Sequence, residues 1–137
     1  MNKHKALQEL NTLLSNVLIL PQCEEEILKL VLGTGFEHEF IKCLSKCLTQ
    51  LNEKGQAATK LDSFEKLKKA VNLYSMHLVG GCFNIRILYT FQNNDKILIL
   101  AFYEREDKSK TDYTDIIPLA QKRLKYYLKS GGNIREE

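Results

Sequence analysis

The chain has 137 residues, of which 44% are hydrophobic and 27% charged, and its formal net charge is +3. This length predicts a single domain, residues 1–137, and the composition is typical of a soluble globular protein. No apolar run approaches the roughly 18 residues of a membrane-spanning helix, which excludes a chain anchored by such a helix. A charge this small does not by itself indicate a nucleic-acid partner.

The basic N-terminus is followed by an amphipathic segment without a cleavage-site pattern, so we expect no signal peptide and a cytoplasmic protein. Its four cysteines should then remain reduced. Cys43 and Cys47 share one face of a predicted helix, but no second Cys or His pair lies at zinc-ligand spacing. We therefore expect apolar core thiols, and neither a metal nor a cofactor.

The N-terminal half of the sequence predicts helices. Apolar residues recur at intervals of three and four in residues 7–18, 24–32 and 37–52. Pro21 interrupts the first pattern, and residues 17–20 before it could instead form a short strand. Gly33 is placed to cap the end of the second helix, because glycine readily adopts the left-handed conformation required there.

The period changes from 3.6 to 2 in the second half. Asp62 and Glu65 fit a capping box that would open a short helix ending near Ala70. Residues 73–79, 83–91 and 96–103 then alternate or run apolar and are rich in β-formers, so we predict three strands. Turn-forming residues 92–95 should join the second and third strands as an antiparallel hairpin with both faces buried at its centre.

A charged loop, residues 104–113, should lead into a final helix. Asp112 or Thr114 can cap this helix, Pro118 is tolerated in its first turn, and Gly131 and Gly132 end it. The expected fold is α+β, with N-terminal helices packed on a small antiparallel sheet that is followed by a C-terminal helix.

Two residues on the predicted strands are candidates for chemistry. Arg86 lies mid-strand between isoleucines, where a charge is unfavourable unless it faces a cleft or a partner. It shares a face with Asn84 and Leu88, and the alternatives for it are a solvated sheet face or a structural ion pair. His77 would lie near Arg86 if the first two strands are neighbours, although such a histidine can also simply be hydrogen-bonded.

Candidates also lie after the third strand. Arg105, Lys108 and Lys110 form a basic cluster that can bind RNA or merely be solvated. Tyr113 can pack on the last helix or stack on a base. Together these groups suit RNA cleavage without a metal, in which the ribose 2′-hydroxyl is the nucleophile and the protein supplies phosphate neutralisation and proton transfer.

Residues 61–127 resemble the RelE/HigB-like toxins of type II toxin–antitoxin systems, especially the branch often described as phage-derived. Three blocks carry the likeness: Leu67 with residues 73–78; residues 84–91, which are similar to a Tyr-Arg-Ile-Leu-Tyr strand; and residues 97–102 with Glu104, Arg105, Lys108, Lys110, Thr111, Asp112, Tyr113, Ala120, Arg123 and Leu124. Residues 1–33 have no clear counterpart and are expected to be an additional helical extension.

The resemblance implies a growth-arresting hydrolase that cleaves mRNA, commonly on the translating ribosome, and a cognate antitoxin that is usually a helix-turn-helix protein. Arg86 matches the family's strand arginine, which is implicated in phosphate binding. Ser75 and His77 stand where the family usually has Glu and Arg. Of the candidates, the resemblance carries over Arg86. Together with the candidates drawn from the residues themselves, the predicted catalytic residues are Arg86, His77 and Tyr113, with Arg105, Lys108 and Lys110 as RNA-binding residues.

Two other functions are compatible with this sequence. A ParE-like toxin has the same fold but poisons DNA gyrase and needs no nuclease residues. A catalytically degenerate relative would retain only antitoxin binding, and Ser75, His77 and Glu104, which depart from the family pattern, motivate that alternative.

Overall fold

The computed structural model describes residues 2–93, 95–104 and 113–130. In these ranges the elements are α1 (Lys3–Leu14), β1 (Leu18–Ile19), α2 (Pro21–Val31), α3 (Glu37–Lys54), a 3₁₀ helix (Gly55–Lys60), β2 (Phe64–Lys66), β3 (Tyr74–Val79), β4 (Asn84–Gln92), β5 (Asp95–Tyr103) and α4 (Ile116–Lys129). The strands form one sheet in the order β1-β5-β4-β3-β2. The predicted α+β class is thus confirmed. None of the helices described is long and apolar enough to cross a bilayer.

The N-terminal helices follow the predicted periodicity. Leu10, Cys23 and Phe40 are among the residues of α1, α2 and α3 that point into the core and are fully buried. Gly33 has a φ of +81° just after α2, as expected of a helix-ending glycine. Pro21 is the first residue of α2 rather than a break before a helix at residue 24, because a missing N–H is tolerated in the first turn.

Strands β3, β4 and β5 form an antiparallel meander, as predicted. Leu88 and Leu100 are partners, whereas the next pair is Tyr89 with Leu98, so Ile99 is an extra residue that creates a β-bulge in β5. Residues at the centres of β4 and β5 are buried on both faces, which confirms the interpretation of their apolar runs.

The short helix predicted after Asp62 is wrong. Phe64–Lys66 is instead the edge strand β2, antiparallel to β3, with the Ser63 carbonyl accepting the His77 amide over 2.8 Å. A helix confined to residues 62–70 is marginal on its own. Pairing with β3 satisfies the same backbone groups and also buries Phe64 and Leu67.

The sheet is also larger and more mixed than predicted. Leu18 and Ile19, in the segment for which a short strand was the alternative, pair in parallel with Ile97 and Leu98 of β5. The predicted caps of the last helix do not apply. Asp115 occupies the N-cap of α4 without a side-chain hydrogen bond, and Asp112 lies outside the described residues. The predicted ending at residues 131 and 132 lies outside them as well.

The two faces of the sheet differ in character. On one face the helical layer packs through α3: Phe83, just before β4, contacts Phe36 and Phe40 with ring centroids 5.2 and 5.6 Å apart. At the other end of α3, Asn52 accepts a hydrogen bond from Lys96 of β5. The opposite face carries Arg86 and its neighbours, and it is the face that holds the candidate site.

Candidate active site

Strand register brings the polar residues of the second face together. Glu65 of β2 is paired with Ser75 of β3, and His77 of β3 is paired with Arg86 of β4. Because side chains alternate along a strand, these four point to the same side of the sheet. Glu104 follows the end of β5, where its amide donates to the Asn84 carbonyl over 2.8 Å. The cluster is therefore set by the pairing of four strands.

Arg86 is held between two carboxylates. Its Nε lies 3.0 Å from Oε2 of Glu104, and its Nη1 lies 3.6 Å from Oε1 of Glu65. The arginine side chain is 17% exposed and that of Glu104 only 13%, whereas Glu65 is 53% exposed. Nε is buried and has no hydrogen-bond partner among the described residues, so its contact with Glu104 is an ion pair without a directed hydrogen bond. The structural ion pair left open for Arg86 is thus present.

His77 contacts the same carboxylate oxygen as Arg86. Its Nε2 lies 3.1 Å from Oε2 of Glu104 and also contacts Oδ1 of Asn84. Both neighbours of this nitrogen are acceptors, so Nε2 carries a hydrogen. The prediction that His77 would lie near Arg86 is confirmed by the register of β3 and β4.

Tyr113 reaches the cluster from the segment before α4. Its hydroxyl donates to Oε1 of Glu65 over 3.0 Å and lies 3.2 Å from Oγ of the buried Ser75. Its ring packs edge-on against Phe102, with centroids 6.3 Å apart. Burial raises the pKa of Tyr113 to about 12. The phenol therefore remains protonated at neutral pH and acts as a donor rather than a base.

Arg86 consequently lies between two couples of contacting side chains. One couple is His77 with Glu104, on the Nε side of the guanidinium, and the other is Tyr113 with Glu65, on the Nη1 side. A guanidinium can bind a phosphate oxygen, a carboxylate can accept a proton, and an imidazole can accept or donate one. The cluster therefore contains an anion-binding group flanked by proton-transfer groups.

The structure brings together Arg86, His77 and Tyr113, which are the three catalytic residues predicted from the sequence. Their roles in catalysis stay predictions. The predicted RNA-binding residues Arg105, Lys108 and Lys110 lie outside the described residues.

Sequence reasoning missed the two carboxylates. Glu65 was assigned to a capping box, and Glu104 was treated as the start of a charged loop. Alternation had placed Asn84 beside Arg86, but its contact with His77 depends on the register between two strands. Glu65 is placed on the site face only by the pairing of Phe64–Lys66 with β3, which the sequence does not signal.

Within the described ranges, no three His, Cys, Asp or Glu side chains are grouped so that they could hold a metal ion. No family model, curated protein or solved structure matches the chain.

Proposed function

We propose that this protein is a metal-independent endoribonuclease, the toxin of a type II toxin–antitoxin pair, and that it cleaves mRNA. The observation that carries the proposal is the position of Arg86 between the His77–Glu104 and Tyr113–Glu65 couples on one face of the sheet. The sequence resemblance supports the remaining parts: action on the translating ribosome and a helix-turn-helix antitoxin as partner.

The chemistry of RNA transesterification matches this arrangement. The 2′-oxygen attacks phosphorus in line with the departing 5′-oxygen, so the base and the acid must act on opposite sides of the phosphate. Arg86 would bind the non-bridging oxygens, whose charge increases in the transition state. Glu65 suits the base, because it is the more exposed of the two carboxylates and its neighbour Tyr113 keeps its own proton.

Charge balance identifies what the cluster requires from its surroundings. Arg86 carries one positive charge, but it already lies between two carboxylates, Glu65 and Glu104. An RNA phosphate must therefore compete with carboxylates for the guanidinium, which has five N–H donors and can bind more than one anion. In our proposal Arg105, Lys108 and Lys110, which lie within the six residues after Glu104 in the sequence, contact the flanking phosphates and add positive charge to the site.

The proposal is tested by expressing the chain in bacteria and mapping transcript ends. We expect growth arrest with cleaved mRNA, and we expect Arg86→Met to reduce cleavage by about 10²-fold to 10³-fold, as for loss of one transition-state donor. Arg123→Met is the matched control, because Arg123 is also a mostly buried, ion-paired arginine but lies on α4. Circular dichroism would establish that both variants fold. Arrest with intact transcripts, or equal activity of the Arg86 and Arg123 variants, would refute the nuclease.

A second candidate is a catalytically inactive antitoxin-binding module. The ion pairs of Arg86 favour it, since a guanidinium already held by two carboxylates is less available to phosphate. Harmless overexpression of a folded protein that still binds its antitoxin would support this function. Growth arrest with a DNA-damage response and unbroken transcripts would instead support a ParE-like gyrase poison.

A further inference from the structure

We propose that His77 is the general acid of this site and that Glu104 is the residue that positions it. The inference rests on the proposed function and adds a direction to the reaction, with the base on the Glu65 side of Arg86 and the acid on the His77 side. The sequence resemblance does not supply these roles, because the family usually has Arg where this chain has His77.

The imidazole of His77 lies beside two hydrogen-bond acceptors. Nε2 of His77 faces the Glu104 carboxylate at 3.1 Å and the side-chain amide oxygen Oδ1 of Asn84, and both are acceptors. A nitrogen surrounded in this way holds its hydrogen. The register partner of His77 is Arg86, so the ring lies beside the guanidinium that would bind the phosphate.

Glu104 is held both by its backbone and by its carboxylate. Its amide donates to the Asn84 carbonyl, which fixes the backbone at the end of β5. Its Oε2 then contacts both His77 Nε2 and Arg86 Nε. A single oxygen thus sets the distance between the imidazole and the guanidinium that would bind the scissile phosphate. Because that carboxylate is largely buried, its interaction with Arg86 is less weakened by water than a surface pair would be.

In the proposed cleavage reaction, every proton and every bond is accounted for. Glu65 takes the proton of the 2′-hydroxyl, the 2′-oxygen forms a bond to phosphorus, and the bond from phosphorus to the 5′-oxygen breaks. The His77 imidazolium gives its proton to the departing 5′-oxygen. The products are a 2′,3′-cyclic phosphate and a 5′-hydroxyl, and the enzyme is left with neutral His77 and protonated Glu65. Proton exchange with water restores both groups.

The experiment uses two versions of one mRNA on translating ribosomes. The second version carries a single 5′-bridging sulfur at the mapped cleavage site, and a thiolate leaves without being protonated. We expect His77→Gln to lower cleavage of the ordinary linkage by about 10²-fold to 10⁴-fold and to cleave the sulfur linkage at nearly the wild-type rate. Glu65→Gln should be impaired on both linkages. His38→Gln, a change at an exposed histidine of α3, is the matched control and should behave as wild type.

Glu104 requires a separate readout, because it acts through His77. Glu104→Gln should slow cleavage of the ordinary linkage more than cleavage of the sulfur linkage, so that the ratio of the two rates falls below the wild-type ratio. Glu104→Asp, which retains the charge, should recover part of the difference.

The outcomes separate the two proposals. If wild type cleaves both linkages but His77→Gln is equally impaired on each, the acid assignment is wrong and the nuclease stands. A wild-type ratio of the two cleavage rates in Glu104→Gln would remove Glu104 from its positioning role. If wild type cleaves neither linkage, the proposed function itself fails, and the assignment of His77 fails with it.

Discussion

The free edge of β5 beyond β1 is covered by an ion pair that joins two helices, and its contribution to stability can be predicted. Arg123 of α4 makes two hydrogen bonds of 2.8 Å to the Glu26 carboxylate of α2, and it also donates to the Ile99 carbonyl over 3.3 Å. Glu26 in turn accepts the Ala101 amide over 3.1 Å. The pair thus satisfies the backbone at the bulge and fastens α4 to the sheet.

Arg123→Met should destabilise the protein by about 2–3 kcal/mol. Hydrogen bonds between charged groups contribute roughly 1.5–3 kcal/mol each, and the lower end applies because the two side chains are 15% and 29% exposed. In a double-mutant cycle with Glu26→Gln, measured by urea unfolding, we expect a coupling free energy of about 1.5–2 kcal/mol. The Lys29–Glu25 pair of α2, whose side chains are 75% and 67% exposed, is the control and should give at most about 0.5 kcal/mol.

A coupling for Arg123 and Glu26 no larger than that of the exposed control pair would contradict this reasoning. It would mean that solvent screens the bidentate pair as fully as an ordinary surface contact. In that case α4 is held by its apolar face alone, and residues such as the buried Ala120 would have to provide the attachment.

Two further predictions follow from perturbed ionisable groups. A hydrogen bond from the Cys47 thiol lowers the pKa of Cys43 to about 7. In a Cys82→Ser background, Cys47→Ala should raise the Cys43 pKa and slow the reaction of Cys43 with a disulfide reagent at pH 7 by roughly three-fold to four-fold. An unchanged pH midpoint of this reaction would argue against the hydrogen bond. The Tyr113 pKa is raised in the folded protein to about 12, so its contribution to stability is present below the unfolded value of about 10 and is lost between there and about 12. Tyr113→Phe should reduce that alkaline loss in urea unfolding, and a profile identical to wild type would contradict it.

Local patterns in the sequence were sufficient to predict the meander β3–β5 and the three N-terminal helices. These elements have long runs with one clear period, so burial of one helix face or of a whole strand determines them. The segment Phe64–Lys66 is different. Its local signal, Asp62 followed by Glu65, is that of a helix start, but pairing with β3 determined the structure. A three-residue strand has too few side chains to show a period, and only its partner identifies it.

The parallel pairing of β1 with β5 could not be predicted for a related reason. The contact joins Leu18 and Ile19 to residues about 80 positions later, and nothing in two residues specifies a partner at that separation. The candidate site has the same origin. The alternation of side chains predicts the sheet face that carries Arg86 and suggests His77 beside it. Glu65, by contrast, lies on β2, and Glu104 lies just after the end of β5. The pattern of a single strand therefore identifies Arg86 but not the two carboxylates, which come from other elements.

The two anions also bear on why Arg86 is present at all. A guanidinium between isoleucines is unfavourable unless it is paired, and Glu104 alone, being largely buried, is a sufficient structural partner. Glu65 adds little to that pairing, since it is half exposed and 3.6 Å away. Stability therefore explains the contact with Glu104. It does not explain the second carboxylate, Glu65, which also accepts a hydrogen bond from the Tyr113 hydroxyl. A role as the exposed general base, beside the phosphate that Arg86 would bind, does explain Glu65. The Glu65 side of Arg86 therefore favours the proposed nuclease over a purely structural cluster.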